Sequence, residues 1–451
     1  MFPKFFSFEN IILVTIYLLI FIALVYFISL QQKTVKFKSL LIRGYLFKIF
    51  IGIGFALTYE FYYNWSGDTI YYFGNACTVG DFLFTNPSAF FKIVFGTINE
   101  SNIYSLPANL GYFPPITDIS KYAAHRFIAP FTIIGLKNYY LTDICLNTFL
   151  FIINWKFFRF IQAKFPEKTN ILAFSFLFIP SIGFWGGGLT KDAFCFSFTL
   201  LFVLCFHKIF INLRFKIIYI LLFLFSFYTL KVFKPYILYS LLMSCVVLGA
   251  TSYLYIIKNQ FLRIIALPII VIVFGIGGLF VLQRTASNVG GAYSSVDSML
   301  EKASVTQMDL KQEYYQGNSF DIGDIEPNIG SALSVMPAAI LAGLLRPFIW
   351  DVRSLSMLMS GLENLALLIL ILYTFIVIFK TSISQTINII RKNPILVFCL
   401  FFSLVMALGI GISTSNFGAL VRFKIPFFPF WVLFWLFLYD ELKRLLKNGS
   451  V

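Results

Sequence analysis

Apolar runs of about twenty residues recur along this chain between short polar links, the pattern of helices that cross a lipid bilayer. The runs fall near 10–30, 44–63, 139–160, 170–189, 192–210, 215–230, 235–257, 261–282, 357–379, 394–413 and 426–440. The expected fold is all-α: a polytopic membrane protein of about eleven transmembrane helices. No segment is both long and polar enough to fold apart from these spans, so 1–451 reads as a single integral membrane domain. The glycines at 52–54 and 275–278 lie inside apolar runs and read as close helix packing.

Two segments, 64–138 and 283–356, are far longer than a link requires, and both fall on the same predicted side. Each contains an apolar piece that is short or broken by proline: F-L-F-T-N-P-S-A-F-F-K-I-V-F in the first and A-L-S-V-M-P-A-A-I-L-A-G-L-L-R-P-F-I-W in the second. These are expected to be interfacial or re-entrant helices. The start of the second segment carries Asp297, Glu301, Asp309, Glu313, Asp321, Asp324 and Glu326; it reads as an amphipathic helix followed by a solvated loop without calcium-loop spacing.

Charge fixes the orientation. The chain is 59% hydrophobic and 12% charged, with a formal net charge of +15. Most of its 35 Lys and Arg sit in the short links and C-terminal tail if the N-terminus lies outside and the C-terminus in the cytoplasm; Lys48 is grouped with them. The excess positive charge is then explained by topology, without nucleic acid. The first apolar run lacks a small-residue cleavage site and reads as a retained span. The six cysteines show no C-x-x-C pattern.

The polar residues on the long-loop side carry the candidate chemistry. Asp68, in N-W-S-G-D-T-I-Y-Y-F, suits either a helix cap or a general base at the membrane boundary. P-S-I-G-F-W-G-G-G-L-T-K-D-A-F ends in Lys191 and Asp192 at a helix start, either a phosphate cradle or a tight turn with a surface pair. Lys231 and Lys234 interrupt an apolar hairpin, to hold an anion or to reach lipid headgroups. Arg346, Asp351 and Arg353 follow the re-entrant-looking stretch, and Arg422 and Lys424 precede the last span. A guanidinium fork can bond two phosphate oxygens at once. Glu60, Asp143 and Glu363 lie within spans, with orientation of the cationic groups or proton relay as their roles. His125 is an acid/base candidate, whereas the predicted cytoplasmic His207 is not. No zinc-site spacing and no Walker motif is present.

Gly67-Asp68, F-W-G-G-G-L-T-K-D-A, R-P-F-I-W-D with G-L-E-N, and N-F-G-A-L-V-R-F-K-I-P-x-x-P together resemble the GT-C superfamily of integral membrane glycosyltransferases, in particular the polysaccharide polymerases of bacterial envelopes. The resemblance is a loose pattern spread over most of the chain. It implies a sugar donor on a polyprenyl phosphate or diphosphate, transfer on the outer face of the cytoplasmic membrane, Asp68 as base, and Arg346, Arg422, Lys191 and Lys234 as phosphate holders. Membrane lipid and other envelope-biosynthesis proteins are the implied partners. The extra first span departs from the family, as does the lack of D-x-D or E-x-D in a second outer loop, which leaves a divalent metal without an evident ligand motif. Two other readings stand beside it: a transporter or flippase for a lipid-linked or anionic substrate, and a non-catalytic membrane subunit docking through 284–326.

Overall fold

The computed structural model describes residues 4–96, 119–256, 296–312, 319–323, 326, 328–447 and 449. The expected span 261–282, the glycines at 275–278, and Glu313 and Asp324 lie outside the described residues. The helices are α1 (Phe8–Leu30), α2 (Val35–Phe61), α3 (Asp68–Thr85), α4 (Pro87–Phe95), α5 (Ile119–Ile134), α6 (Tyr139–Gln162), α7 (Thr169–Leu177), α8 (Pro180–Trp185) and α9 (Lys191–Phe206). They continue as α10 (Ile217–Phe233), α11 (Pro235–Ile256), α12 (Val296–Leu310), α13 (Ile329–Leu345), α14 (Leu355–Lys380), α15 (Ile383–Lys392), α16 (Pro394–Ser413), α17 (Phe417–Lys424) and α18 (Phe428–Lys447). Among the described residues the only β-type pairing is an isolated bridge between Ser319 and Asn416.

Among the described residues, seven helices are long and apolar enough to cross a membrane: α1, α2, α6, α9, α11, α14 and α16. The count is eight if α17 and α18, which meet at 67°, are taken as one bent span. Polar caps define many of the starts. Thr34 accepts from Phe37 N at the start of α2, Asn138 from Tyr140 and Leu141 N at α6, Asn328 from Ser331 N at α13, and Asn416 from Ala419 N at α17.

The helices gather into two compact units. The first comprises Met1–Lys164, Phe176–Leu201 and Tyr228–Lys234; the second comprises Phe165–Ser175, Phe202–Phe227 and Pro235–Val451. In the first, α2 packs on α6 and α3 on α5. In the second, α16 packs on α11 and α13. The α13/α16 contact is backbone to backbone: a Cβ on Gly411 would sit 2.6 Å from the Ala339 carbonyl carbon, and one on Gly343 would sit 2.8 Å from that of Ala407. Ala339 and Gly343, like Ala407 and Gly411, are four residues apart. These are two small-xxx-small pairs that let the helices touch.

Three expectations change. The run 170–189 is broken into α7 and α8, with Pro180 at the first turn of α8, where its missing N–H costs nothing. Span 426–440 is the straight part of the bent α17/α18 pair. The second span starts at Val35 and not near 44, which places Lys48 mid-helix and removes it from the basic link.

Candidate functional site

The first unit contains a buried polar group. Lys48 on α2, 5% exposed, donates to the carbonyl of Gly186, and Asn147 on α6 donates to the carbonyls of Gly187 and of Asp143. Gly52 permits this convergence: a Cβ there would lie 2.9 Å from Asn147 Nδ2, 3.0 Å from Gly187 O and 3.1 Å from Asp143 Oδ2. Asp143 is 1% exposed and acts electrostatically on Lys48. Lys48, from the same helix pair, is the cation Asp143 acts on, and among the described residues no ion pair joins Asp143 to the loop cations it was expected to orient. Residues 181–190 are all buried, so the turn leading to Lys191 is anchored from beneath.

Glu60 differs from expectation in the same way. It accepts from Phe5 N at 3.1 and 3.2 Å and from the Tyr140 hydroxyl, and so ties the chain ahead of α1, and α6, to the end of α2. It bonds no basic side chain among the described residues.

Above the Gly-rich turn, Asp192 forms an ion pair with Lys234, their side chains 1% and 9% exposed. Lys234 is therefore neutralised at its expected phosphate site. Lys191 donates to Ser120 Oγ at 2.9 Å, Ser120 donates to Phe233 O at 3.0 Å, and the Lys191 ammonium lies 5.7 Å from the Tyr72 ring. Lys231 is half-buried on the last turn of α10.

Asp68 is exposed and is the first residue of α3. The N-cap position is held by Gly67, whose φ of 98° suits glycine. Asp68 thus sits in the first turn, where its charge suits the helix dipole, and not at the cap position the sequence allowed.

The second unit holds the other cluster. The Arg346 guanidinium lies 5.1 Å from the ring of Phe320 and 5.9 Å from those of Phe348 and Phe417. Its only ion pair among the described residues is a 4.0 Å approach to Asp351, and its side chain is 30% exposed. Asp351 instead accepts from Phe348 N at 2.9 Å. Lys424 is fully committed. Its ammonium donates to Leu344 O and Arg346 O, both at 2.9 Å, and to Asn364 Oδ1 at 3.2 Å, while Asn364 Nδ2 donates to Pro347 O at 3.0 Å. A lysine with three donors so engaged holds the 344–347 backbone and has none left for phosphate, which corrects its expected role. Glu363, next to Asn364, bears electrostatically on Lys424. Arg422 is half-buried and Arg353 exposed.

The loop before Arg346 is tied down by Phe320 N donating to Ser415 O at 2.7 Å and by Ser415 Oγ donating to Gln307 O at 2.8 Å. Outside the spans, the hydrogen bond from Lys311 at 3.0 Å, with one from Gly323 N at 3.1 Å, holds the Asp321 carboxyl below the usual carboxylate range. Among the described residues no group of three His, Cys, Asp or Glu side chains is placed to hold a metal ion.

Asn364, Ser120, Asn147 and the aromatic frame of Phe320 and Phe417 were not singled out in the sequence. Two carried a signal, Asn364 as the last residue of G-L-E-N and Phe417 as the second of N-F-G-A-L-V-R-F-K. No family model, curated protein or solved structure matches this chain.

Proposed function

We propose that the protein is a GT-C-like glycosyltransferase or oligosaccharide polymerase of the bacterial cytoplasmic membrane. In this reading it has about eleven spans and an outer N-terminus, and its donor is a sugar on polyprenyl phosphate or diphosphate. The observation that carries it is Arg346. Its guanidinium is framed by three aromatic rings and only loosely approached by one carboxylate, so its N–H edge can meet a phosphate. Lys424 and Asn364 hold the backbone on either side of it.

In the transfer step, the acceptor hydroxyl oxygen bonds to the anomeric carbon as the bond from that carbon to the phosphate oxygen breaks. The phosphate leaves with the electron pair. Arg346, assisted by Arg422, stabilises the charge growing on it, and a general base takes the hydroxyl proton, the role the resemblance gives to Asp68. Lys191 remains a phosphate-holding candidate, whereas Lys234 and Lys424 become supports for neighbouring groups. Arg353 and Lys231 keep accessory roles toward the anionic donor.

The test is transfer from a polyprenyl-diphosphate-linked oligosaccharide by the full chain in lipid nanodiscs. Arg346→Ala is expected to lower the rate on the order of 10²-fold, with thermal stability close to wild type. Wild-type rates in that variant would remove Arg346 from the chemistry and leave the reading without its main support.

The buried Lys48 and Asp143 favour a second reading, transport of a lipid-linked or anionic substrate, because ionisable groups at membrane depth often mark a pathway. Flipping of a labelled lipid-linked oligosaccharide in proteoliposomes, abolished by Asp143→Asn and untouched by Arg346→Ala, would select it.

A further inference from the structure

Helices α3 and α5 meet through two pairs of residues, each pair one turn apart. Tyr71 and Asn75 share a face of α3, and Lys121 and His125 share a face of α5. The two faces meet. The Tyr71 and His125 rings lie 5.2 Å apart, Asn75 Nδ2 lies 3.5 Å from His125 Nε2, and the Lys121 ammonium lies 6.0 Å from the Tyr71 ring. Tyr71 keeps 43% of its surface exposed, and Lys121 is exposed as well. Tyr72, 5.9 Å from His125, extends the group toward Lys191.

A half-exposed aromatic face bordered by an amide and the Lys121 ammonium, with His125 buried behind them, has a definite chemistry. The ring face takes the C–H face of a sugar, Asn75 hydrogen-bonds its hydroxyls, and His125 positions Asn75 and the Tyr71 ring. The Lys121 ammonium selects negative charge on the ligand. Asp68 stands one turn before Tyr71 and Tyr72 on α3, at positions that share their face.

We infer that Tyr71, Asn75 and Lys121, positioned by the buried His125, form a binding site for an anionic saccharide, such as a uronic acid unit, and that this saccharide is the acceptor whose hydroxyl is presented to Asp68. Calling it the acceptor rests on the transferase reading; its binding does not.

The probes are a trimer of galacturonic acid and the matching neutral trimer of galactose, added to the full chain in nanodiscs of zwitterionic lipid and followed by saturation-transfer NMR. The galacturonate trimer is expected to receive saturation from the wild type, several-fold less from Tyr71→Ala and from Lys121→Gln, and an unchanged amount from Lys443→Gln, an exposed lysine of α18. The galactose trimer is expected to receive little. Tyr71→Phe keeps the ring and is expected to bind as wild type, which guards against a misfolded Tyr71→Ala. No transfer to the galacturonate trimer in the wild type, or equal transfer in Tyr71→Ala and Lys121→Gln, overturns the site. Glycerol phosphate that displaces the galacturonate trimer and binds Tyr71→Ala as well as wild type also overturns it, because the patch is then a lipid-headgroup seat. Galacturonate binding in a protein with no transferase activity keeps the site and discards the transferase; transferase activity without galacturonate binding does the reverse.

Discussion

Gly411 and Gly409 lie two residues apart on α16, and alanine at the two positions should act in opposite directions. At Gly411 the new Cβ would be 2.6 Å from the Ala339 carbonyl carbon and 2.9 Å from its Cα, with the carbonyl oxygen nearer still. Real Cβ atoms essentially never come within 3.0 Å of such atoms, and the obstacle is backbone, which cannot rotate away. Helices α13 and α16 would have to part by roughly 1 Å, loosening the cluster of Val335, Ala339 and Ile412; overpacking of this kind costs about 1–3 kcal/mol. At Gly409 a Cβ meets nothing within 4 Å, so alanine there brings only the helix-propensity gain of about 0.5–1 kcal/mol. Thermal unfolding of the purified protein in one detergent, followed by tryptophan fluorescence, should rank Gly409→Ala above wild type and Gly411→Ala below it. Because α13 ends at Arg346, Gly411→Ala should also impair whatever Arg346 does. A Gly411→Ala protein as stable as Gly409→Ala would refute the close approach of these helices.

Three further outcomes are expected. Asp192→Asn should destabilise by about 3–5 kcal/mol by leaving Lys234 buried without its counter-charge, and the double variant Asp192→Leu/Lys234→Met should recover much of the loss in the same unfolding assay. Lys424→Met strands three buried acceptors, each worth about 1–3 kcal/mol, partly offset because no ammonium is buried; a net loss on the order of 3 kcal/mol should appear as an earlier unfolding midpoint. The lowered Asp321 carboxyl stabilises the fold at neutral pH and loses that contribution as pH falls through its lowered folded value; for so exposed a pair the amount is about 0.5 kcal/mol or less. Acid titrations of wild type and Asp321→Asn should therefore converge at low pH.

The spans were readable because about twenty apolar residues leave few alternatives to a membrane helix. Their interruptions were harder to see. The glycines at 186–188 read as a turn, but Pro180 lies in a run with no charge to mark a break and emerges as one only when packed. Lys48 was misplaced because a hydropathy window starts α2 late; from Val35 it lies about 20 Å along the axis, well inside the helix. Arg346 and Asp192 were legible as cations and acids at helix ends. The commitment of Lys424 to three acceptors depends on Leu344, Arg346 and Asn364, up to 80 residues away, and no local pattern announces it. The α13/α16 contact is written in A-x-x-x-G at 339–343 and 407–411, small residues one turn apart on each helix.

The attachments of α1 bear on the order of biosynthesis. Among the described residues that helix is the least buried of the apolar helices long enough to span, and its polar anchors come late in the chain: Glu60 to Phe5 N, Ile134 O to the Tyr17 hydroxyl at 2.7 Å, and Asn138 to Asn10 at 2.6 Å. A ribosome that has made only α1 and α2 has exposed one of these partners, and the rest follow once about 140 residues have cleared the exit tunnel. Until then the first helix waits in the bilayer, available to an insertase or a quality-control protease. Translation speed through residues 62–138 thereby becomes a determinant of how many chains mature.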